Sequence, residues 1–190
     1  MKKLPLFIIS GPSGAGEDSV IEGLRDYLRI ERVITTTSRP MRLGDTEGNP
    51  YFFITRKAFQ RGIAAKKFIE YAEQYNGNLY GVTKKEIDRV LKSDSVGIWK
   101  IEYKGVSHAK EIFPGIVAIM ITAPLTILED RIRRRGGIPE EQLKERLIYT
   151  KEWFKHTNIY DYVVTNEEGK LEKTIKEVAE IIKKEMQNTI

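Results

Sequence analysis

The chain of 190 residues contains no cysteine. That absence excludes a disulfide framework and any thiolate metal site, and it fits a reducing compartment. Only two histidines occur, His108 and His156, and neither has a partner at metal-binding or catalytic spacing. We read both as surface or helix positions. No apolar run approaches the roughly 20 residues of a membrane span. The first such run, residues 6–10, is a strand long and carries no cleavage-site pattern. We therefore expect a cytoplasmic protein with no membrane partner. Internal repeats and low-complexity segments are also missing. The net charge of +5 is modest and spread along the chain. It suits an anionic small molecule and gives little ground for a nucleic-acid partner. A hydrophobic share of 41% supports a sizeable core, and the length predicts one domain with room for small insertions. The oligomeric state stays open.

What is present begins at residues 11–19, Gly-Pro-Ser-Gly-Ala-Gly-Glu-Asp-Ser. The spacing is that of a phosphate-binding loop, G-x-x-x-x-G-K-[ST]. In that pattern backbone N–H groups wrap the nucleotide phosphates, the Lys reaches the β/γ-phosphates and the hydroxyl meets Mg²⁺. Gly11, Ser13, Gly14, Ala15, Gly16, Glu17, Asp18 and Ser19 are the candidate phosphate-binding residues. Glu17 and Asp18, however, occupy the two chemical positions. The flanks fit the loop: Leu6-Phe7-Ile8-Ile9-Ser10 reads as a strand buried on both faces. Val20, Ile21, Leu24, Tyr27 and Leu28 then recur at helical spacing.

Further strand-like runs lie at 33–36, 97–102, 117–121 and 162–164, with helical patterns at about 19–29, 84–92, 125–134, 139–156 and 170–187. This alternation predicts an α/β fold, a central parallel sheet covered on both faces. Residues 36–82 differ: short aromatic-rich pieces separated by turns at Gly44, Gly48 and Gly77 read as a small inserted subdomain with β character. Residues 131–137, followed by Pro139, read as a basic, Gly-punctuated loop suited to a mobile lid.

A series of motifs in one order then resembles the guanylate kinase family along nearly the whole chain. Residues 36–45, Thr-Thr-Ser-Arg-Pro-Met-Arg-Leu-Gly-Asp, with Gly48 and Tyr51-Phe52-Phe53, are similar to that family's T-T-R-x-P-R-x-G-E…G-x-x-Y-x-F. Phe68-Ile69-Glu70-Tyr71 and Gly77–Gly81 resemble F-I-E…G-x-x-Y-G, and Ile101–Gly105 resembles I-D-x-Q-G. Residues 128–136, Arg146 and 160–166 complete the set. The resemblance implies a P-loop three-layer fold with a core (1–35, 83–130, 155–190), an inserted α+β GMP-binding subdomain (about 36–82) and a basic lid (about 131–154). It implies an ATP:GMP phosphotransferase working with Mg²⁺, its partners the nucleotides ATP and GMP. Arg39 and Arg42 would clamp the acceptor phosphate, since guanidinium forks match phosphate bidentately. Tyr51 and Tyr80 would add hydroxyl donors. Glu70 would accept hydrogen bonds from guanine N1–H and its amino group, with Glu102 as a second acceptor and Thr35 near the base. Adenine offers no matching pair of donors. Arg135 and Arg146 would stabilise the phosphoryl group in flight. Asn166 would border the adenine of ATP.

Departures from the family cluster at the donor side. Glu17 replaces the loop Lys, and Asp18 replaces the Ser/Thr, although Ser19 follows. Lys100 stands where the family carries an acid. These opposite changes motivate a charge swap, with Lys100 pairing with Glu17 or reaching the phosphates itself. The stakes are high: a unit-charge pair at about 4 Å and an effective dielectric near 20 is worth roughly 4 kcal/mol. Asp18 with Ser19 would be the candidate Mg²⁺ ligands, a carboxylate being a good hard-ion ligand. Val82 and Lys104 also depart, and Thr83 stands one position along from a missing hydroxyl. Two other readings compete with an active kinase: an inactive GMP-binding protein of the same fold, and a kinase of another phosphorylated metabolite.

Overall fold

A computed structural model describes residues 6–74, 77–134 and 139–187. Its central sheet has five parallel strands in the order β10-β9-β1-β8-β2. They are β1 (Leu6–Ser10), β2 (Ile30–Arg32), β8 (Val96–Lys100), β9 (Val117–Thr122) and β10 (Tyr162–Thr165). Successive strand side chains face opposite ways, so the two faces of β1 enter different cores. Phe7 and Ile9 pack with Val20 and Ile21 of α1 (Glu17–Gly23), Leu128 of α5 (Leu125–Arg134) and Ile175, Val178 and Ile182 of α7 (Leu171–Gln187). Leu6 and Ile8 pack with Ile87 and Val90 of α3 (Lys84–Leu91), Val106 and Ala109 of α4 (Tyr103–Ile112) and Trp153 of α6 (Glu140–Phe154). The result is the α/β three-layer arrangement that the alternating pattern predicts.

A second sheet, β4-β5-β3-β7-β6, comes from residues 35–83. It comprises β3 (Thr35–Thr37), β4 (Thr46–Glu47), β5 (Pro50–Phe53), β6 (Phe68–Glu73) and β7 (Leu79–Thr83), with α2 (Arg56–Ala64) between β5 and β6. Phe59 of α2 stacks on Phe68 with ring centroids 4.2 Å apart.

Several expectations are corrected. The run at 33–36 is no single strand: β2 stops at Arg32, the chain crosses at Val33-Ile34, and β3 begins in the other sheet. The pattern at 19–29 is α1 followed by a 3-10 turn at Leu24–Asp26. Residues 131–134 are helix rather than loop, because α5 continues to Arg134. Periodicity did not predict α4, which starts inside the Ile101–Gly105 motif and packs Val106 and Ala109 beyond it into the second core.

Candidate active site

The loop after β1 works because glycine stands where side chains cannot. A Cβ on Gly11 would lie 2.4 Å from the Ile121 carbonyl oxygen. Gly16 has φ 94°, and a Cβ there would lie 2.6 Å from Asn166 Nδ2. The loop is tied from behind: Asn166 donates Nδ2 to the Ala15 carbonyl at 2.8 Å and accepts from Thr174 Oγ1 at 3.2 Å. Arg131 adds bonds to the carbonyls of Gly14 and Asn166. Ser10 Oγ meets Tyr160 Oη at 3.0 Å at the mouth of β1.

One cavity of about 430 Å³ runs from this loop to the second sheet. Gly11, Ser13 and Glu17 line its loop end, and Thr35, Arg39, Arg42, Tyr51, Glu70, Tyr80, Lys100, Glu102 and Arg146 its remaining walls. Arg39 is buried, held by Asp45 at 2.9 Å. Its guanidinium lies 5.5 Å from the Tyr51 ring centroid and 5.2 Å from that of Phe53. The Tyr51 and Tyr80 rings meet edge to face at 6.0 Å. Burial raises the Tyr80 pKa, so its hydroxyl stays a donor.

Two carboxylates at the far wall have opposite surroundings. Glu102 accepts from Gln74 Nε2 at 2.8 Å and from the Tyr149 hydroxyl at 2.6 Å. Each of its oxygens thus already has a donor. Glu70 is only 9% exposed and has no hydrogen bond or ion pair among the described residues. Burial, with the Glu102 charge adding to it, pushes its carboxyl from 4.5 up to about 7. A buried acid without a donor costs free energy until something polar arrives.

The loop end holds a knot of charge. Lys100 Nζ is 2.6 Å from Asp18 Oδ2 and 3.9 Å from Glu17 Oε1. Arg32 Nη2 is 2.5 Å from the other Asp18 oxygen, Oδ1. The charge swap read in the sequence therefore exists, but its main partner is Asp18. Burial raises the Asp18 pKa, yet Lys100 and Arg32 overcome this and hold its carboxyl down to about 2. Burial lowers the Lys100 pKa, and the charges of Glu17 and Asp18 more than restore it.

A sequence model of guanylate kinase matches residues 3–185. The chain belongs to the guanylate kinase family. The guanylate kinase of Rickettsia felis is 35% identical over 181 residues, covering 93% of this chain and 92% of that protein. That of Fusobacterium nucleatum is 38% identical over 164 residues, 86% of this chain and 88% of that protein. Among solved structures, guanylate kinase from Anaplasma phagocytophilum matches with a TM-score of 0.73 at 27% identity, covering 98% of this chain and 88% of that one.

Within this guanylate kinase frame, several assigned residues are busy elsewhere. The Asn166 side chain is spent on the loop and α7, although it also lines a shallow groove of about 350 Å³ with Gly14, Gly16, Ser19, Arg131 and Arg134. Thr83 caps α3 by accepting from Glu86 N at 3.2 Å and does not line the main cavity. Both Asp18 oxygens are taken, so it could ligate Mg²⁺ only after those pairs opened. No group of three His, Asp or Glu side chains suited to a metal occurs among the described residues. Ser19, the other expected ligand, lines the shallow groove and not the main cavity, so an ion used here would arrive with the nucleotide and be held mainly by its phosphates. Arg135 lies outside the described residues. Among those residues no helix is long and apolar enough to cross a membrane.

Sequence reasoning missed Arg32, Asp45, Gln74 and Tyr149. Asp45 was inside a quoted motif and could have been found as the acid three residues beyond Arg42, whose backbone N–H it accepts at 2.7 Å. Arg32, Gln74 and Tyr149 carried no local signal, because each meets a partner brought close only by folding.

Proposed function

We propose that this chain transfers the γ-phosphoryl group of MgATP to GMP, yielding ADP and GDP. The observation that carries the reading is Glu70: a buried carboxyl without a donor, in one cavity with Arg39, Arg42, Tyr51 and Tyr80. Guanine supplies two adjacent donors to such a group, and the arginines and tyrosines supply donors to a phosphate. An oxygen of the GMP phosphate attacks the γ-phosphorus in line, and the bond to the β–γ bridging oxygen breaks, leaving ADP. Mg²⁺ arriving with ATP would screen the negative charge of the phosphates. Lys100, at the cavity wall beside Glu17, supplies from β8 the cation that position 17 lacks. Arg146 lines the same cavity and is free of hydrogen bonds and ion pairs among the described residues, so its guanidinium is available to the phosphoryl group. Cytoplasmic purine nucleotide metabolism is the setting this reaction implies.

One observation favours a second reading, a GMP-binding protein without catalysis. Lys100 is already satisfied by Asp18 at 2.6 Å, and position 17 is an acid. A coupled assay of ADP release with GMP and MgATP, run beside Glu17→Lys, separates the two. Turnover by the parent that is lost in Lys100→Met supports the first reading. A silent parent with an active Glu17→Lys variant means a complete acceptor site switched off at one residue. Silence in both, with GMP still bound, establishes the second reading.

A further inference from the structure

Asp18 is shared by two cations, and only one of them belongs to the cavity wall. Lys100 lines the cavity, whereas Arg32 lines neither the cavity nor the shallow groove beside the loop. The two cations use different carboxylate oxygens, Lys100 on Oδ2 and Arg32 on Oδ1. Either can therefore leave without displacing the other. Their freedom differs. Arg32 ends β2 with its side chain 11% exposed, Glu22 lies 3.7 Å from its Nη1, and its carbonyl accepts from Arg89 Nη2 at 3.0 Å. Arg89 is itself anchored on Glu86 and Glu31. Lys100 is a point charge on a flexible stem with its side chain 25% exposed.

We propose that Arg32 is a positioning residue for phosphoryl transfer: it retains Asp18 so that Lys100 can leave that carboxylate for the nucleotide phosphates. This rests on the reading above, in which Lys100 supplies the donor-site charge. Two carboxylates, Glu17 and Asp18, face two cations, Lys100 and Arg32. If Lys100 were the sole partner of Asp18, whose side chain is 60% exposed, its departure would leave that carboxylate un-neutralised at the phosphate loop, where it would repel the incoming phosphates and draw the lysine back. With Arg32 in place the carboxylate keeps a charge-assisted bond throughout. A loop that carries an acid at position 18 therefore needs a second cation behind it, and β2 provides one.

The test compares the full chain with Arg32→Gln, Lys100→Met and the double variant. Kd for MgATP is measured by calorimetry, KM by the coupled assay for each substrate, and thermal midpoints alongside. Arg32→Gln is expected to weaken MgATP binding about tenfold or more, to leave the GMP KM within about twofold, and to have no further effect once Lys100 is Met. Asp18→Asn in the Arg32→Gln background is expected to restore MgATP binding, because an amide no longer retains the lysine. If Arg32→Gln fails to fold, Arg32→Met, which keeps an apolar stem and carries no charge, is used instead. It is expected to weaken MgATP binding beside Asp18 and not beside Asp18→Asn. Equal effects of Arg32→Gln with and without Lys100 overturn the inference, as does an unchanged Kd. A parent that binds MgATP in a Lys100-dependent way but never turns over overturns the kinase reading alone. A parent that does not bind MgATP overturns both.

Discussion

Replacing Glu70 by Gln should stabilise the free protein while weakening its hold on GMP. The carboxyl sits in the cavity wall 9% exposed, with its pKa moved from 4.5 up to about 7 by burial and then by the Glu102 charge. Below about pH 4.5 the folded and unfolded chains both carry it protonated, and it costs nothing. As the pH rises through 4.5 the unfolded chain releases the proton first, so stability falls, and the loss is complete only above the folded value near 7. At roughly 1.4 kcal/mol per pH unit of displacement, the charged form costs the folded state up to about 3 kcal/mol at pH 8. Gln keeps the shape and carries no charge, so Glu70→Gln should recover most of that cost at pH 8 and little of it at pH 5. Comparing variant with parent at each pH cancels the titration of groups that are not coupled to Glu70. Urea unfolding at the two pH values reads the stability difference, and calorimetric titration with GMP reads the ligand side. GMP should bind about ten- to a hundredfold more weakly, because charge-assisted hydrogen bonds contribute about 1.5–3 kcal/mol and the Gln amide turns donors toward donors. A stability difference that is the same at pH 5 and pH 8 refutes the desolvation argument. Unchanged GMP affinity refutes the role of Glu70 in reading the base.

Three further substitutions separate fold from site. Gly81→Ala puts a Cβ 2.7 Å from the Glu70 carbonyl oxygen and 2.8 Å from Tyr71 Cβ, so it should cost about 1–3 kcal/mol in urea unfolding and raise the GMP KM by moving the strand that carries Glu70. Gly23→Ala drives a Cβ to 2.3 Å from Ile175 Cδ1 between α1 and α7, and should lower stability by a similar amount with both KM values unchanged. Tyr149→Phe removes a donor from the buried Glu102 and should cost about 1.5–3 kcal/mol at pH 8, a loss that shrinks in acid as Glu102, its pKa already raised by burial, takes up a proton.

The second-sheet end of the cavity was the more legible part of the site. Arg39, Glu70 and Tyr80 stand in short motifs whose order survives any detail of packing, and the cavity does gather them. The loop end was harder, since Glu17 and Asp18 are adjacent and a helix start turns adjacent side chains to different directions. Opposite charges at positions 17 and 100 suggested one pair; it forms, but only at 3.9 Å, because Glu17 folds back over Gly11, its Cγ 3.1 Å from the point where a Cβ on that glycine would stand. Asp18 turns instead toward Arg32 and Lys100.

By itself the sequence determined the alternation of strand and helix, because apolar periodicity is local. The uninterrupted apolar run of β1 and the glycine spacing after it demanded a buried strand feeding a tight loop. The spans of α3, α5 and α7 followed from period alone. Tertiary structure decided everything that depends on register. Ile9 lies opposite Lys100 in the parallel ladder of β1 and β8, which places the lysine beside the loop that follows β1. Ile30 lies opposite Val96 and Arg32 opposite Ile98, which brings the arginine to the same carboxylate from the next strand. Pairing across a sheet joins residues far apart in the chain, and a shift of one position would send each side chain to the other face. No local pattern carries that information, so the shared Asp18 and the Gln74–Glu102–Tyr149 contacts emerge only when the strands and helices are packed.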